Sequence, residues 1–281
     1  MSNIWEFAMG IEAFRYDGRH ALIVGGGSGM GESLASLLLE LGAKVTVMDL
    51  VVGNRSDVTN IQMDLRDRPG IDAALAKVDG PVNAVFLCAG VADGEEGIEK
   101  TLFLGQRHLV ESAVDAGMVP RGSAVAVISS VAGLGWERAL PVLDEYLETP
   151  NFEAGAAWIA AHDNTATYSF AKQAFLAYTA KKAHQFLSKG IRINAILPGP
   201  TNTPLARANA EQWLGFAQDY RDDLGIPAAE PIDQAYPLAF LCSDAASYVN
   251  GINFIVDAGY VASGLTGSWD APFIKPMMGI E

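Results

Sequence analysis

Residues 20–49 read HALIVGGGSGMGESLASLLLELGAKVTVMD, and the fold is decided by this stretch. His20–Val24 is a short apolar run of strand length, followed by the turn Gly25-Gly26-Gly27-Ser28-Gly29-Met30-Gly31. Glu32–Leu41 then carries Leu34, Leu37, Leu38 and Leu41 at helical spacing, and Gly42 stands where a helix stops. Lys44–Met48 is a second apolar run, closed by Asp49. Glycines let the backbone turn sharply and lie close to a pyrophosphate, whose charge a helix N-terminus stabilises. Gly25, Gly27, Ser28, Gly29, Met30 and Gly31 are therefore expected to bind a dinucleotide. Asp49, eighteen residues beyond Gly31, suits the adenosine ribose hydroxyls. A 2′-phosphate would meet that carboxylate, and the turn offers no Lys or Arg to hold one, so the expected cofactor is NAD. A hydrolase reading of Ser28 fails, because Met30 stands where a nucleophile elbow needs glycine.

Outward from this unit the same rhythm continues. Val82–Cys88, Ala124–Ile128, Ile191–Leu197 and Ile252–Val256 are further apolar runs, mostly separated by helical stretches. Strands buried on both faces and alternating with helices imply an α/β fold, a Rossmann-like doubly wound parallel sheet in a single domain over 1–281. Residues 1–17 form an N-terminal extension and 264–281 a C-terminal tail. Two long segments break the pattern. An insertion, 133–165, carries Trp136, Tyr146, Phe152 and Trp158; 200–231, with Trp213, Phe216 and Tyr220, reads as a substrate loop. Trp136, Trp213 and Phe216 are the substrate-contacting candidates.

The 281 residues are half apolar and carry a formal net charge of −14. Such a charge disfavours a nucleic-acid partner or an anionic membrane surface. The two cysteines, Cys88 and Cys242, lie in apolar runs, and the four histidines lack metal-ligand spacing, so no metal is expected. The N-terminus has no continuous apolar core of a signal peptide, and a cytoplasmic location follows.

Tyr168 and Lys172 stand one helical turn apart, a phenol beside an ammonium. A neighbouring cation favours the phenolate and would fit Tyr168 for proton exchange near neutrality. Tyr178 and Lys182 have the same spacing ten residues further on, so spacing alone does not choose between the pairs.

From about Gly18 to Ser263 the chain resembles the short-chain dehydrogenase/reductase family. Gly25, Gly29 and Gly31 match its glycine turn, Asp64-Leu65 its adenine-contacting pair, and Cys88-Ala89-Gly90 the end of its NNAG turn. Ile128-Ser129-Ser130-Val131-Ala132-Gly133 resembles the strand end bearing its catalytic serine. Tyr168 and Lys172 match its Tyr-x-x-x-Lys, thirty residues before Pro198-Gly199. The stretches GIRINAILPGPTNTPL and SYVNGINFIVDAG look like further signatures. The resemblance implies hydride transfer between a nicotinamide ring and an alcohol or ketone. It assigns Ser130, Tyr168 and Lys172 to catalysis, Lys172 also to the nicotinamide ribose, and the Ile196–Thr203 run, with Pro198, Gly199, Thr201 and Thr203, to the nicotinamide side. Tyr178 becomes a packing residue.

Departures accompany the matches. Val24 replaces a threonine, Leu87 and Cys88 replace two asparagines, and Leu102 stands where the family has a helix asparagine that helps hold a proton-relay water. The long separation of Ser130 from Tyr168 resembles the subgroup containing bacterial 3α-hydroxysteroid dehydrogenase/carbonyl reductase and coniferyl-alcohol dehydrogenase. That implies a bulky apolar substrate, steroid-like or aromatic; the family resemblance implies a homodimer or homotetramer. The alternatives are an epimerase or dehydratase with the same Tyr-x-x-x-Lys, and a dinucleotide-binding sensor without turnover.

Overall fold

The computed structural model describes residues 10–280, so the first nine residues of the N-terminal extension and the last residue of the tail lie outside it. Among the described residues seven strands form one sheet: β1 (His20–Val24), β2 (Lys44–Asp49), β3 (Thr59–Gln62), β4 (Ala84–Leu87), β5 (Ala124–Ile128), β6 (Arg192–Pro198) and β7 (Asn253–Val256). Their order is β3-β2-β1-β4-β5-β6-β7, and every neighbouring pair is parallel. Among the described residues the α-helices in chain order are α1 (Gly29–Glu40), α2 (Arg68–Leu75), α3 (Gly105–Asp115), α4 (Leu140–Leu147), α5 (Phe152–Ala161), α6 (Tyr168–Ser188), α7 (Pro204–Ala208), α8 (Ala210–Trp213), α9 (Gln218–Leu224), α10 (Pro231–Cys242), α11 (Tyr260–Thr266) and α12 (Ile274–Met278).

Successive strand residues point to opposite faces, so each strand feeds two cores. Ala21, Ile23, Ala84, Phe86, Ala124 and Ala126 meet Leu34 and Leu38 of α1 and Leu238 of α10. The small alanines leave room for these helices to lie close on the sheet. On the other face Leu22, Val24, Val85, Leu87, Val125 and Val127 pack with Phe103 and with Phe175 and Tyr178 of α6. The insertion joins this second core through Leu143, Tyr146 and Phe152.

Strand order reverses between β1 and β4, where parallel α/β sheets bind ligands beyond the carboxyl ends of their strands. Register brings those ends level: Val24 pairs with Leu87, Leu87 with Val127, and Ile128 with Ile196. Gly25, Cys88, Ser129 and Gly199 thus continue from neighbouring strands into one crevice.

Several boundaries depart from the sequence reading. The first helix starts at Gly29 instead of Glu32, and Gly42 follows its end with φ +96°. The 82–88 run narrows to Ala84–Leu87. β3 was not anticipated: TNIQ is a short, largely polar edge strand with one buried residue, Ile61. The described end of the N-terminal extension belongs to the core, since Tyr16 is fully buried and its hydroxyl donates to Ala239 O at 2.6 Å. Among the described residues no helix is long and apolar enough to cross a membrane.

Candidate active site

The crevice is a cleft of about 770 Å³, within the usual range of small-molecule sites. Its first wall is the glycine turn. Gly25 and Gly29 have φ of +84° and +58°, a region that side chains rarely adopt. A Cβ on Gly31 would lie 2.1 Å from Gly25 O, and one on Gly25 would lie 2.4 Å from Ala89 N. The turn therefore folds back under α1 and rests on the Cys88-Ala89-Gly90 turn with no space for a side chain. Ser28 precedes α1, but its side chain makes no capping hydrogen bond, so the first-turn N–H groups remain open to the cleft. An open helix N-terminus behind a bare backbone turn fits a diphosphate.

Asp49 ends β2 and its Oδ2 accepts from Gly27 N at 2.8 Å, while Oδ1 accepts from Val51 N at 3.2 Å. Asp64 also lines the cleft and is clasped by Arg66, whose Nη2 lies 2.8 Å from Oδ2 and holds the carboxyl below its usual range. This pairing was not foreseen, and it occupies the arginine at that end of the cleft. Leu65, Cys88, Ala89, Gly90, Pro198, Gly199 and Thr201 line the cleft too. Thr203 crosses it: its side chain lies against Gly29, and its Oγ1 caps α7 by accepting from Ala206 N at 3.0 Å.

The opposite wall carries Ser130, Tyr168 and Lys172. Ser130 follows β5, and its Oγ accepts from Ala132 N at 3.1 Å, which leaves its O–H free to donate. α6 is held close by Gly133, where a Cβ would lie 3.0 Å from the Lys172 backbone, and by Ser129, whose Oγ donates to Lys172 O at 2.8 Å. Lys172 is 2% exposed and its Nζ donates to Ile128 O at 2.9 Å. Burial pushes its pKa down to about 8. The amine sits 5.3 Å from the centre of the Tyr168 ring.

Burial pushes the Tyr168 phenol up to about 12; hydrogen bonding with Ser130 pulls it down, and Asp93 raises it. Removing the phenolate from water outweighs the Ser130 hydrogen bond.

Tyr178 and Lys182 copy the pair locally, with the amine 5.6 Å from the ring, yet Tyr178 is buried in the core and its hydroxyl donates to Glu111 at 3.3 Å. Leu102 is likewise fully buried in the core. Of the three substrate candidates, Trp213 and Phe216 line the cleft, and the Trp213 ring lies 5.2 Å from that of Tyr168. Trp136 does not reach it. It packs half-buried against the core beside Gly135, whose close approach to Met277 O shows the C-terminal tail covering that turn. Sequence reasoning missed Asp93, whose Oδ1 accepts from Tyr168 N at 2.7 Å at the head of α6. A carboxylate three residues past Gly90 gives no local signal for a contact 75 residues away.

A dinucleotide-type α/β sheet with serine, tyrosine and lysine on one cleft wall defines a class of redox enzymes, and the comparisons agree. The model of the NAD dependent epimerase/dehydratase family matches residues 21–203, and that of enoyl-(acyl carrier protein) reductase matches 154–261. Coniferyl-alcohol dehydrogenase of Pseudomonas sp. strain HR199 is 29% identical over 248 residues, 86% of this chain and 96% of that protein. The 3-alpha-hydroxysteroid dehydrogenase/carbonyl reductase of Comamonas testosteroni is 27% identical over 85% of this chain and 95% of its own length. The crystal structure of the 3-alpha-hydroxysteroid dehydrogenase from Pseudomonas sp. B-0831, complexed with NADH, superposes with a TM-score of 0.71 at 24% identity, covering 89% of this chain and 98% of that one. The chain belongs to the short-chain dehydrogenase/reductase family. It is an oxidoreductase that uses a nicotinamide cofactor on a small-molecule alcohol or ketone.

Proposed function

We propose that the protein is an NAD-dependent dehydrogenase of bulky apolar alcohols and ketones, aromatic or steroid-like, with Ser130, Tyr168 and Lys172 as its catalytic residues. The observation that carries this reading is the convergence of those three side chains on the cleft that also holds the glycine turn. The diphosphate would lie at the N-terminus of α1 against Gly25–Gly31, and Asp49 would take the adenosine ribose. Asp64 and Leu65 would meet the adenine. Lys172 and Tyr168 would hold the nicotinamide ribose, with Pro198, Gly199, Thr201 and Thr203 along the nicotinamide. Bound there, the nicotinamide supplies the hydride acceptor or donor. The side chains handle the proton. Ser130 donates a hydrogen bond to the substrate oxygen. Tyr168 takes the alcohol proton at its phenol oxygen in oxidation and returns it to the carbonyl oxygen in reduction. Lys172 would favour the phenolate, and a further positive charge in the cleft, such as an oxidised nicotinamide ring, would lower the phenol pKa from its starting value near 12.

The preference for NAD rests on charge. At the adenosine end stands the acidic side chain of Asp49, and Arg66 is already held by Asp64. The substrate class rests on Trp213, Phe216, Leu205 and Val91, apolar side chains lining the cleft, with the Trp213 ring 5.2 Å from that of Tyr168. The names of the two curated relatives, a coniferyl-alcohol and a 3α-hydroxysteroid enzyme, point the same way. We further propose a homodimer or homotetramer, testable by light scattering, and a cytoplasmic location, where two thiols raised by burial would stay reduced.

Tyr168→Phe tests the catalytic assignment. Turnover of benzylic and steroidal alcohols with NAD should fall by at least about 10³-fold, while NADH binding stays within about twofold, because only the exchangeable proton is removed. Loss of NADH binding instead would make Tyr168 a structural residue.

A further inference from the structure

One fully buried polar side chain beside the cleft has no part in the chemistry above. Gln106 is 0% exposed, near the start of α3. Its Nε2 lies 2.9 Å from Thr101 O, 3.2 Å from Leu102 O and 3.2 Å from Ala89 O. The amide orientation follows from this company. Turned over, Oε1 would face three carbonyl oxygens, which cannot donate to it. Two of the acceptors belong to Lys100–Leu104, a single π-helical turn closed by Gly105 N donating to Lys100 O. Such a turn carries an extra residue and disturbs the helical pairing of its carbonyls, a feature frequent at functional sites. The third acceptor belongs to the turn on which the dinucleotide loop rests, since a Cβ on Gly25 would fall 2.4 Å from Ala89 N and Cα. Thr101 and Ala89 both line the cleft.

We infer that Gln106 is a positioning residue that fastens the floor of the dinucleotide cleft, tying the Ala89 turn to the π turn through one side-chain amide. Two N–H groups serve three carbonyls, so the amide sets the separation of the turns, and the Ala89 turn in turn sets the height of Gly25. The Leu102 side chain, beside it, contributes only apolar packing. An aliphatic side chain at 106 would fill the space but take the side-chain donor from all three carbonyls. The Ala89 turn would then shift toward other partners, taking the glycine loop with it. The inference rests on the dinucleotide occupying this cleft.

The test is a fluorescence titration of the full chain with NADH, alongside thermal unfolding. Gln106→Met should weaken NADH binding about tenfold, the scale of one lost buried hydrogen bond. Leu109→Ala, a cavity one turn further along the same helix that leaves the Gln106 amide in place, should lower Tm while leaving NADH affinity within about twofold. Gln106→Glu supplies a second signature and keeps the test open if the methionine variant does not fold. At pH 8 its carboxylate faces three carbonyls, and binding should be weaker than in wild type. At pH 5.5 the protonated acid can donate once, and the deficit relative to wild type at that pH should shrink. Wild-type affinity in Gln106→Met, a loss matched by Leu109→Ala, or a Gln106→Glu deficit that ignores pH would overturn the inference alone. Failure of the wild-type chain to bind NADH would overturn the cofactor reading, and this inference with it.

Discussion

Lys172 shows how much a residue proposed for catalysis can cost the fold. An ammonium 2% exposed, with one carbonyl partner, is poorly compensated for lost water. Its folded pKa of about 8 lies below the ordinary 10.5, so the unfolded chain binds the extra proton between those values. Below pH 8 the amine is charged in both states and the burial penalty is fully present. Above about pH 10.5 it is neutral in both, and the penalty has gone. Lys172→Met should therefore stabilise the protein at pH 7, by on the order of 2 kcal/mol after the lost Ile128 hydrogen bond, while abolishing turnover. Denaturant melts from pH 7 to 10.5 should show the gap closing as pH rises; a gap independent of pH would mean that the amine is not penalised. The sequence made this residue legible as a partner of Tyr168. It could not show that burial governs both pKa values, because depth in the cleft is set by Gly133 and Ser129, which draw α6 against the end of β5.

At the scale of elements, α6 is positioned from both sides. β5 and its following turn hold the helix body, and the 91–99 segment reaches across the cleft to its first residue through Asp93 and Tyr168 N. That contact satisfies one first-turn N–H and aligns a carboxylate with the positive end of a 21-residue helix. Asp93→Ala frees the segment and should lower kcat about tenfold with little change in NADH affinity. Asp93→Asn keeps an acceptor and should recover most of the rate. With the carboxylate gone, the pH at which oxidation reaches its plateau should move down, because Asp93 raises the Tyr168 phenol. Steady-state pH profiles of the two variants separate tether from charge; equal rate losses would leave the hydrogen bond without a role. Elements with strong periodicity or glycine punctuation, β1, α1, β2 and the later apolar strands, were legible in the sequence. β3 was not, because an edge strand with one buried side chain lacks a strand pattern, and its place follows from pairing with β2. Trp136 misled for a related reason: aromatic residues in an insertion serve a lid or a core equally well, and α12, from a distant part of the chain, covers the turn on which it sits.

For the whole molecule, the glycine turn, the Ala89 turn, α6 and the α7–α8 segment meet around one cleft, so a ligand filling it links elements from both halves of the sheet. Binding restricted to the folded state adds RT ln(1 + [L]/Kd), about 2.7 kcal/mol at a hundredfold excess over Kd. Spread over the unfolding entropy of a chain this long, that raises Tm by about 5 °C. NADH should give such a shift. NADPH at the same concentration should give much less, because its extra phosphate would bring negative charge toward Asp49, whose carboxylate accepts from Gly27 and Val51, while Arg66 is occupied by Asp64. Asp49→Ala removes the repelling charge together with the ribose acceptor. The NADH shift should fall, the NADPH shift should hold or rise, and the two should converge. Paired thermal melts of wild type and variant with each nucleotide measure all four shifts. A difference between nucleotides that survives the substitution would move cofactor discrimination away from the end of β2, to the 50–57 segment that follows it.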